Sequence, residues 1–459
     1  MAKKQLTIEE KLQAALVPAE EQPYKVPENW CWTRLGNVAQ WGAGGTPSRK
    51  NPSFYEGDIP WIKTGELNEE YIYDTEEHIS KEALEKSSAK IFPVNTVVLA
   101  MYGATIGKVG ILGVPATTNQ ACACGVCSKG IKFAFLAKFL QSQKQSFIMK
   151  GKGGAQPNIS QQIIKNHPIA LPPLAEQSRI VARIESLFAK LGEAKEKIQE
   201  VLDGADLRRA AILHQAFTGK LTEKWRRENG VSNESWEDKS IKEISIPRAG
   251  VAFDSKKFST KGYQVIRMGN LYNGELDLSR NPVYYPREFL DNKILERALI
   301  HNDDILITLT GTKYKRDYGY AVKMVNPEKL LVNQRILCLT AIKEYVLSDY
   351  LNYYLQTKLF RDVFFSNETG GVNQGNVSSK FVESIVIKVP LVDEQQEIVR
   401  LLDNLLSREQ STVTACEEAL TTIDTLKKSI LARAFRGELG TNDPSEVSAK
   451  ELLQEILAS

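Results

Sequence analysis

No stretch of the 459-residue chain approaches the roughly 18 consecutive apolar residues that a membrane-spanning helix needs. The opening MAKKQLTIEEKLQAAL alternates charged with apolar residues where a signal peptide would build an apolar run, so the cytoplasm is the expected compartment. Six cysteines, at 31, 122, 124, 127, 338 and 416, are too few for a disulfide framework in so long a chain, in keeping with reducing surroundings. Four histidines, at 78, 167, 214 and 301, stand singly and name no catalytic base. Acidic residues are missing altogether between Glu85 and Glu176, where ten lysines (86, 90, 108, 129, 132, 138, 144, 150, 152 and 165) stand without an arginine. The formal net charge of the whole chain is +3, so this segment is a concentrated positive field, which serves a polyanionic partner better than it serves folding.

Catalytic motifs are missing as well. YGATIGKVG at Tyr102 to Gly110 has three residues where a phosphate-binding loop has four, and Val109 stands where a magnesium-binding hydroxyl belongs. GAGGTPS at Gly42 to Ser48 lacks the third glycine of a dinucleotide fingerprint. NPSF at Asn51 to Phe54 lies near the motif with which amino-methyltransferases hold a base, but Ser53 replaces a proline and no glycine-rich cofactor loop accompanies it. CACGVC at Cys122 to Cys127 offers three thiols, and neither His78 nor His167 is placed to supply the fourth ligand of a structural zinc, so buried strand cysteines are expected.

What the chain has is a copy of itself. LPPLAEQSRIVARIESLFAKLGEAKEKIQEVLDGADLRRAAILHQAFTGKL, Leu171 to Leu221, returns as VPLVDEQQEIVRLLDNLLSREQSTVTACEEALTTIDTLKKSILARAFRGEL, Val389 to Leu439. Pro172 matches Pro390, Glu176 matches Glu394, Gln177 matches Gln395 and Phe217 matches Phe435. Ile180, Ile184, Leu187, Leu191, Ala194, Ile198, Val201 and Ala205 recur in the 4-3 spacing of a coiled-coil seam. The second copy keeps the seam at Ile398, Leu402, Leu405, Cys416, Ala419, Ile423, Leu426 and Ile430, with Glu409 and Thr412 expected to weaken its middle. Pro172, Pro173 and Glu176 favour a helix start, and Gly219 and Gly437 supply left-handed stops. Roughly 40 helical residues make a rod on the order of 60 Å long.

The echo extends upstream of each helix. Trp30, Leu35 and Val38 return as Trp236, Ile241 and Ile244; Ile62, Lys63, Gly65 and Leu67 return as Ile266, Arg267, Gly269 and Leu271. Gly103 matches Gly311, Asn119-Gln120 matches Asn333-Gln334, and Asn158 with Ser160 matches Asn376 with Ser378, so the copies differ by loop insertions. TVVLAMYG, KVGILG, DILITLTG and YAVKMV read as short strands of a mainly antiparallel sheet, and FAFLAKFLQSQKQSFIM and SDYLNYYLQTKLFRDVFF as helices. The expected division is an appended helix in 1–22, a globular unit in 23–171, a long helix in 172–221, a polar linker in 222–235, a second unit in 236–389, a second long helix in 390–439 and a helical tail in 440–459. Each end carries an apolar face awaiting cover.

Binding chemistry remains. Lys150-Gly151-Lys152-Gly153-Gly154 is a flexible basic loop suited to phosphates. The second unit expands after Gly311 to TKYKRDYGY, interleaving Lys313, Lys315 and Arg316 with Tyr314, Tyr318 and Tyr320 as base and backbone contacts would require.

GGTPSRKNPSFYEGDIPWIKTGEL at Gly44 to Leu67, the entries LPPLAEQ and VPLVDEQ, and the ends AFTGKL and AFRGEL, in the order unit, rod, unit, rod, resemble the specificity subunit of a type I restriction-modification enzyme. The second unit lacks the GGTP string and carries SIPRAGVAFDSKKF instead, leaving its DNA target open. The resemblance implies an α+β fold: two mixed α/β target recognition domains in tandem repeat, separated by two long antiparallel coiled-coil helices. It implies a subunit without catalytic site or metal that recognises a bipartite double-stranded DNA target and directs adenine-N6 methylation and restriction by two methyltransferase and two restriction-translocase subunits. S-adenosylmethionine, ATP and magnesium would belong to those partners, with no cofactor in this chain. The candidate DNA contacts are Thr46, Ser48, Arg49, Lys50, Lys63, Lys108, Lys150, Lys152, Arg267, Lys313, Tyr314, Lys315 and Arg316. A free-standing DNA-binding regulator would share the charge; a self-sufficient restriction enzyme would need a cofactor or nuclease domain that the failed motifs do not provide.

Overall fold

Alternating apolar residues bury both faces of the main sheet in each half of the chain. The structure, a computed structural model, describes residues 7–67, 71–151, 157–272, 274–313, 315–371 and 373–458. The chain divides into two compact units, Met1–Ile198 with Glu418–Ser459, and Gln199–Glu417.

In the first unit TVVLAMYG forms the strand Val97–Ala100 and KVGILG forms Val109–Leu112. Val97 and Leu99 pack in one core with Phe135, Leu136 and Phe139 of the helix Phe133–Ser142, while Val98 and Ala100 point into a second with Ile62, Leu67 and Phe92. Among the described residues the sheet runs Ala39–Ala43, Cys122–Cys127, Val97–Ala100, Val109–Leu112, Tyr71–Ile72. A smaller sheet runs His78–Ile79, Ile59–Ile62, Thr117–Thr118, and Cys31–Arg34 pairs with Pro168–Leu171.

The second unit repeats this layout with a four-stranded main sheet in place of the five-stranded one. Its sheet runs Ser245–Ala249, Ile336–Ala341, Ile305–Thr308, Ala321–Lys323; the smaller one runs Tyr284–Tyr285, Tyr263–Ile266, Leu330–Val332; Glu237–Ser240 pairs with Val386–Val389. Pairing is antiparallel in the main, as the sequence predicts. The exceptions are Trp61 beside Thr117, Tyr71 beside Ile111 and Gln264 beside Leu330, which are parallel because a long crossover separates the partners.

The first long helix runs Leu174–Asp203 and, after Gly204, Ala205–Phe217; the second runs Val392–Ala434. Within the first unit Ile180 and Ile184 share a core with Leu431, Ala434 and Phe435. Within the second, Leu213, Ala216 and Phe217 share one with Ile398, Leu402 and Leu406. The start of each helix thus lies beside the end of the other, so the pair is antiparallel as expected. Three seam assignments need correction. Leu426 is 44% exposed, and it is Lys427 that reaches across, its ammonium 5.5 Å from the Phe188 ring centroid. Glu409 leaves no gap, because Arg208 meets it from the first helix at 2.7 Å. Thr412 turns outward and donates to the Arg408 carbonyl at 2.9 Å.

Gly219 and Gly437 adopt φ of 77° and 76°, the left-handed stops the sequence predicts. The terminal helices Ile8–Ala15 and Ala449–Ala458 cover each other and the first unit: Leu12, Ala15, Leu453 and Ile456 are buried in its core. The stretch 222–235, expected as a polar linker, carries the helix Glu223–Asn229, and Arg226 within it is 4% exposed. Glu223, Lys224, Arg227 and Glu228 face solvent as a polar linker would, while Arg226 pairs with the buried Glu394.

Candidate DNA interface

The repeated Glu-Gln pair is fully buried in both copies. Glu176 accepts from Trp30 Nε1 at 2.7 Å, Asn442 Nδ2 at 2.9 Å and Thr441 Oγ1 at 3.3 Å. Glu394 accepts from Trp236 Nε1 at 3.0 Å, Thr222 Oγ1 at 2.7 Å and Arg226 Nη1 at 2.5 Å. Gln177 bonds the Lys132 amide and the Gly130 and Pro172 carbonyls; Gln395 bonds the Leu347 amide and the Tyr345 and Pro390 carbonyls. Each glutamate therefore latches the start of one long helix to the segment that follows the end of the other, and each glutamine ties that start to the globular unit before it. The residues that mark the repeat face no solvent; contact with DNA has to come from the loops they hold.

In the first unit the loop at Gly44 and Gly45 is pressed onto neighbouring backbone rather than shaped for a phosphate: a Cβ on Gly44 would lie 1.9 Å from the Thr118 carbonyl oxygen, and one on Gly45 2.4 Å from the Ser88 carbonyl carbon. Thr46 beside it is exposed and donates to Gln120 Oε1. Ser48 and Lys50 are exposed, the Ser48 hydroxyl accepting the Lys50 amide at 3.4 Å. The Arg49 guanidinium lies 4.0 Å over Tyr55 and pairs with Glu77 at 2.6 Å. Lys63 meets Glu77 at 2.9 Å and Glu76 at 3.2 Å. Hydrogen bonding to Glu77 and Glu76 raises the Lys63 ammonium, and the Lys63 and Arg49 hydrogen bonds hold the Glu77 carboxyl low. Arg49 and Lys63 are thus brought together by a shared carboxylate that compensates part of their charge.

Lys108 is half-buried after the turn at Gly107. Lys150, read as part of a free basic loop, reaches inward and donates to His167 Nδ1 at 3.0 Å. Loss of hydration lowers its ammonium. Lys152 lies outside the described residues. NPSF forms a one-turn helix, Pro52–Tyr55, that buries Phe54 with Trp61, Ile79 and Ala83. Cys122 and Cys124 are buried strand residues whose thiols burial pushes up, Cys124 to about 12. Among the described residues no three His, Cys, Asp or Glu side chains group as metal ligands would.

In the second unit Lys315 and Arg316 are exposed, Arg316 at φ 48° with its guanidinium 5.1 Å over Phe365. Lys313 Nζ donates to the Gly370 carbonyl at 3.0 Å, and Tyr314 lies outside the described residues. Tyr318, read among the aromatic contacts, is 1% exposed: its ring packs on Phe364 and Phe365 and its hydroxyl donates to Glu368 at 2.7 Å. Arg361 staples the insertion, donating to the carbonyls of Arg316, Tyr318 and Gly319 and lying 4.4 Å over Tyr320.

Arg267 donates to the Asn281 carbonyl at 2.6 Å and lines a cleft of about 480 Å³ with Arg280, Gln334 and Arg335. Arg280 and Arg335 escaped the reading of the sequence, although the repeated Asn-Gln pair pointed at the turn that carries Arg335.

A family model for the type I restriction modification DNA specificity domain matches residues 27–203 and 233–418. The EcoKI specificity subunit of Escherichia coli strain K12 is 26% identical over 460 residues, spanning 95% of this chain and 96% of that protein. The MjaIX specificity subunit of Methanocaldococcus jannaschii is 33% identical over 184 residues, 39% of this chain and 42% of that one. The HsdS subunit from Thermoanaerobacter tengcongensis shares the fold, with a TM-score of 0.61 at 18% identity over 91% of this chain and 99% of that chain. The matched stretches take in both globular units and the first part of each long helix, and the chain belongs to the type I restriction-modification DNA specificity family.

Proposed function

We propose that each unit reads one half of a bipartite double-stranded DNA target and that the two long helices set the spacing between the halves. As a specificity subunit the chain binds DNA sequence-specifically and directs methylation and restriction by partner subunits. The observation that carries the bipartite reading is the repetition of one scaffold, a main sheet, a smaller three-stranded sheet and a strand pair leading into a long helix, under unlike loops: an Arg49-Glu77-Lys63 cluster in the first unit, a stapled basic insertion in the second. Two readers of different sequences need that combination. Recognition domains at 23–171 and 236–389, spacer helices at 172–221 and 390–439, two methyltransferase and two restriction-translocase subunits as partners and a cytoplasmic setting complete the proposal. Among the described residues no helix is long and apolar enough to cross a membrane.

Thr46, Ser48, Lys50, Lys108, Lys315 and Arg316 are the proposed contacts; Arg49, Lys63, Lys150 and Lys313 act chiefly by shaping the loops that carry them. The test is methylation mapping in cells that produce the chain with its methyltransferase partner. Methylated adenines should lie in a two-part motif with a constant unspecified spacer. An uninterrupted motif would overturn the bipartite reading, and a pattern indifferent to deletion of this chain would overturn its role in recognition.

A further inference from the structure

The main sheet and the smaller sheet of each unit meet at a turn built in the same way twice. Asn119 Oδ1 accepts the Ala121 amide at 3.1 Å, and Asn333 Oδ1 accepts the Arg335 amide at 3.3 Å. The second turn is fixed on all sides by backbone bonds: Asn333 to Ile266 at 3.2 Å, Gln334 to Val251 at 3.1 Å, Ile336 to Asn333 at 2.9 Å and Leu309 to the Arg335 carbonyl at 2.9 Å. A side chain standing on such a turn is held at its root and free at its tip, which is what a base-reading residue requires.

The two turns differ in what stands there. In the first unit the position after Gln120 is Ala121, and the neighbouring Lys63 is matched by two carboxylates. In the second unit that position is Arg335, exposed, whose guanidinium finds among the described residues one weak acceptor, Met268 Sδ at 3.8 Å. Arg267 and Arg280 line the same cleft, and no carboxylate lines it; Phe253, Phe258 and Met268 form its apolar wall. Asp277 is not part of that lining; hydrogen bonds from Ser279 first, then the backbone and charge of Arg280, hold its carboxyl low. Three guanidiniums that share one cleft, with no carboxylate among the described residues lining it, repel one another, and an apolar wall strengthens their field. The arrangement calls for a ligand that brings an anionic group together with flat hydrogen-bond acceptors.

We propose that Arg335 is a specificity-determining residue of the second half-site, reading a guanine edge through two parallel hydrogen bonds, with Arg280 on the adjoining phosphate. This rests on the DNA-reading function proposed above. Arginine is suited to the bidentate contact with guanine O6 and N7, and a lysine in its place keeps the charge while losing the fork.

The experiment uses the complex of full-length chain and methyltransferase subunits, with methylation mapped over a randomised plasmid library. For the unaltered complex a reproducible motif establishes DNA reading; without one, the functional reading itself fails and Arg335 is not in question. Given a motif, Arg335→Ala and Arg335→Lys should each reduce discrimination about 10- to 100-fold at one guanine of one half-site and leave the other half-site intact. Arg280→Ala should weaken binding on all sequences alike and lower the salt slope by about one unit. Undiminished discrimination in Arg335→Ala, full retention in Arg335→Lys, or equal loss at both half-sites would each overturn the assignment.

Discussion

An ammonium hydrogen can only be donated, so the contact from Lys150 Nζ to His167 Nδ1 fixes the imidazole as an acceptor on that side, with its proton on Nε2 facing Gln143 Oε1 at 3.3 Å. Burial, and then the Lys150 charge, push His167 down to about 3. The unfolded chain takes up a proton near the ordinary value of about 6.5 and the folded one does not, so this histidine's share of stability is complete above pH 6.5 and lost as pH falls toward 3. Between pH 6 and 5 the loss should approach 1.4 kcal/mol per pH unit at about one proton. Urea unfolding across that range should show a shallower pH dependence in His167→Gln; an identical dependence would clear His167 of the role. Lys150 also shows what the sequence withheld. Its glycine-rich neighbourhood reads as a free loop, and only the fold reveals a buried ring nitrogen within reach. Arg49 and Lys63 are a parallel case, since Glu76 and Glu77 sit too far along the chain for spacing to pair them.

At the scale of elements, the two latches use one design with different charges. Glu394 faces the Arg226 guanidinium in a pair whose side chains are 0% and 5% exposed, while the donors to Glu176 are the neutral Trp30, Thr441 and Asn442. Glu394→Gln leaves a buried cation without its counter-charge, at a cost of roughly 3 kcal/mol or more, whereas Glu176→Gln strands no cation and should cost less. Hydrogen exchange should therefore speed more around Lys220 to Val231 in the first variant than around Gly440 to Ser445 in the second. Equal acceleration would show that the charge of Arg226 does not matter. The helices themselves were legible from their 4-3 spacing, because burial of a stripe is a local property of the sequence. The partners across the stripe were not. Glu409 reads as a defect until Arg208 is seen opposite, and a Cβ on Gly204 would lie 2.6 Å from Arg208 Nη1, so that glycine leaves room for the arginine. Repeated element order was legible for the same reason as the helices, while the parallel pairs depended on crossovers that no short window contains.

For the whole molecule, the pairing of Phe188 with Lys427 fixes which heptads face each other. Removing Leu187 to Glu193 together with Thr422 to Lys428 takes one heptad from each helix at the same level and keeps the seam in phase. About 10 Å of rod is lost, equivalent to roughly 3 base pairs of DNA. If the helices set the spacing, methylation mapping should find the spacer shortened by up to about 3 base pairs with both half-sites still read. An unchanged spacer in a folded, assembled variant would show that they do not. The division of the chain has a consequence for how the protein is made. Residues 199–417 form one unit from uninterrupted sequence, but the other joins residues 1–198 to 418–459. Phe135 and Phe139 pack edge-to-face against Phe435, and Leu12 and Ala15 share their core with Leu453 and Ile456. On the ribosome the unit that is begun first is therefore finished last: it emerges with its apolar face open and stays so through the synthesis of more than 200 residues, until the returning helix closes it.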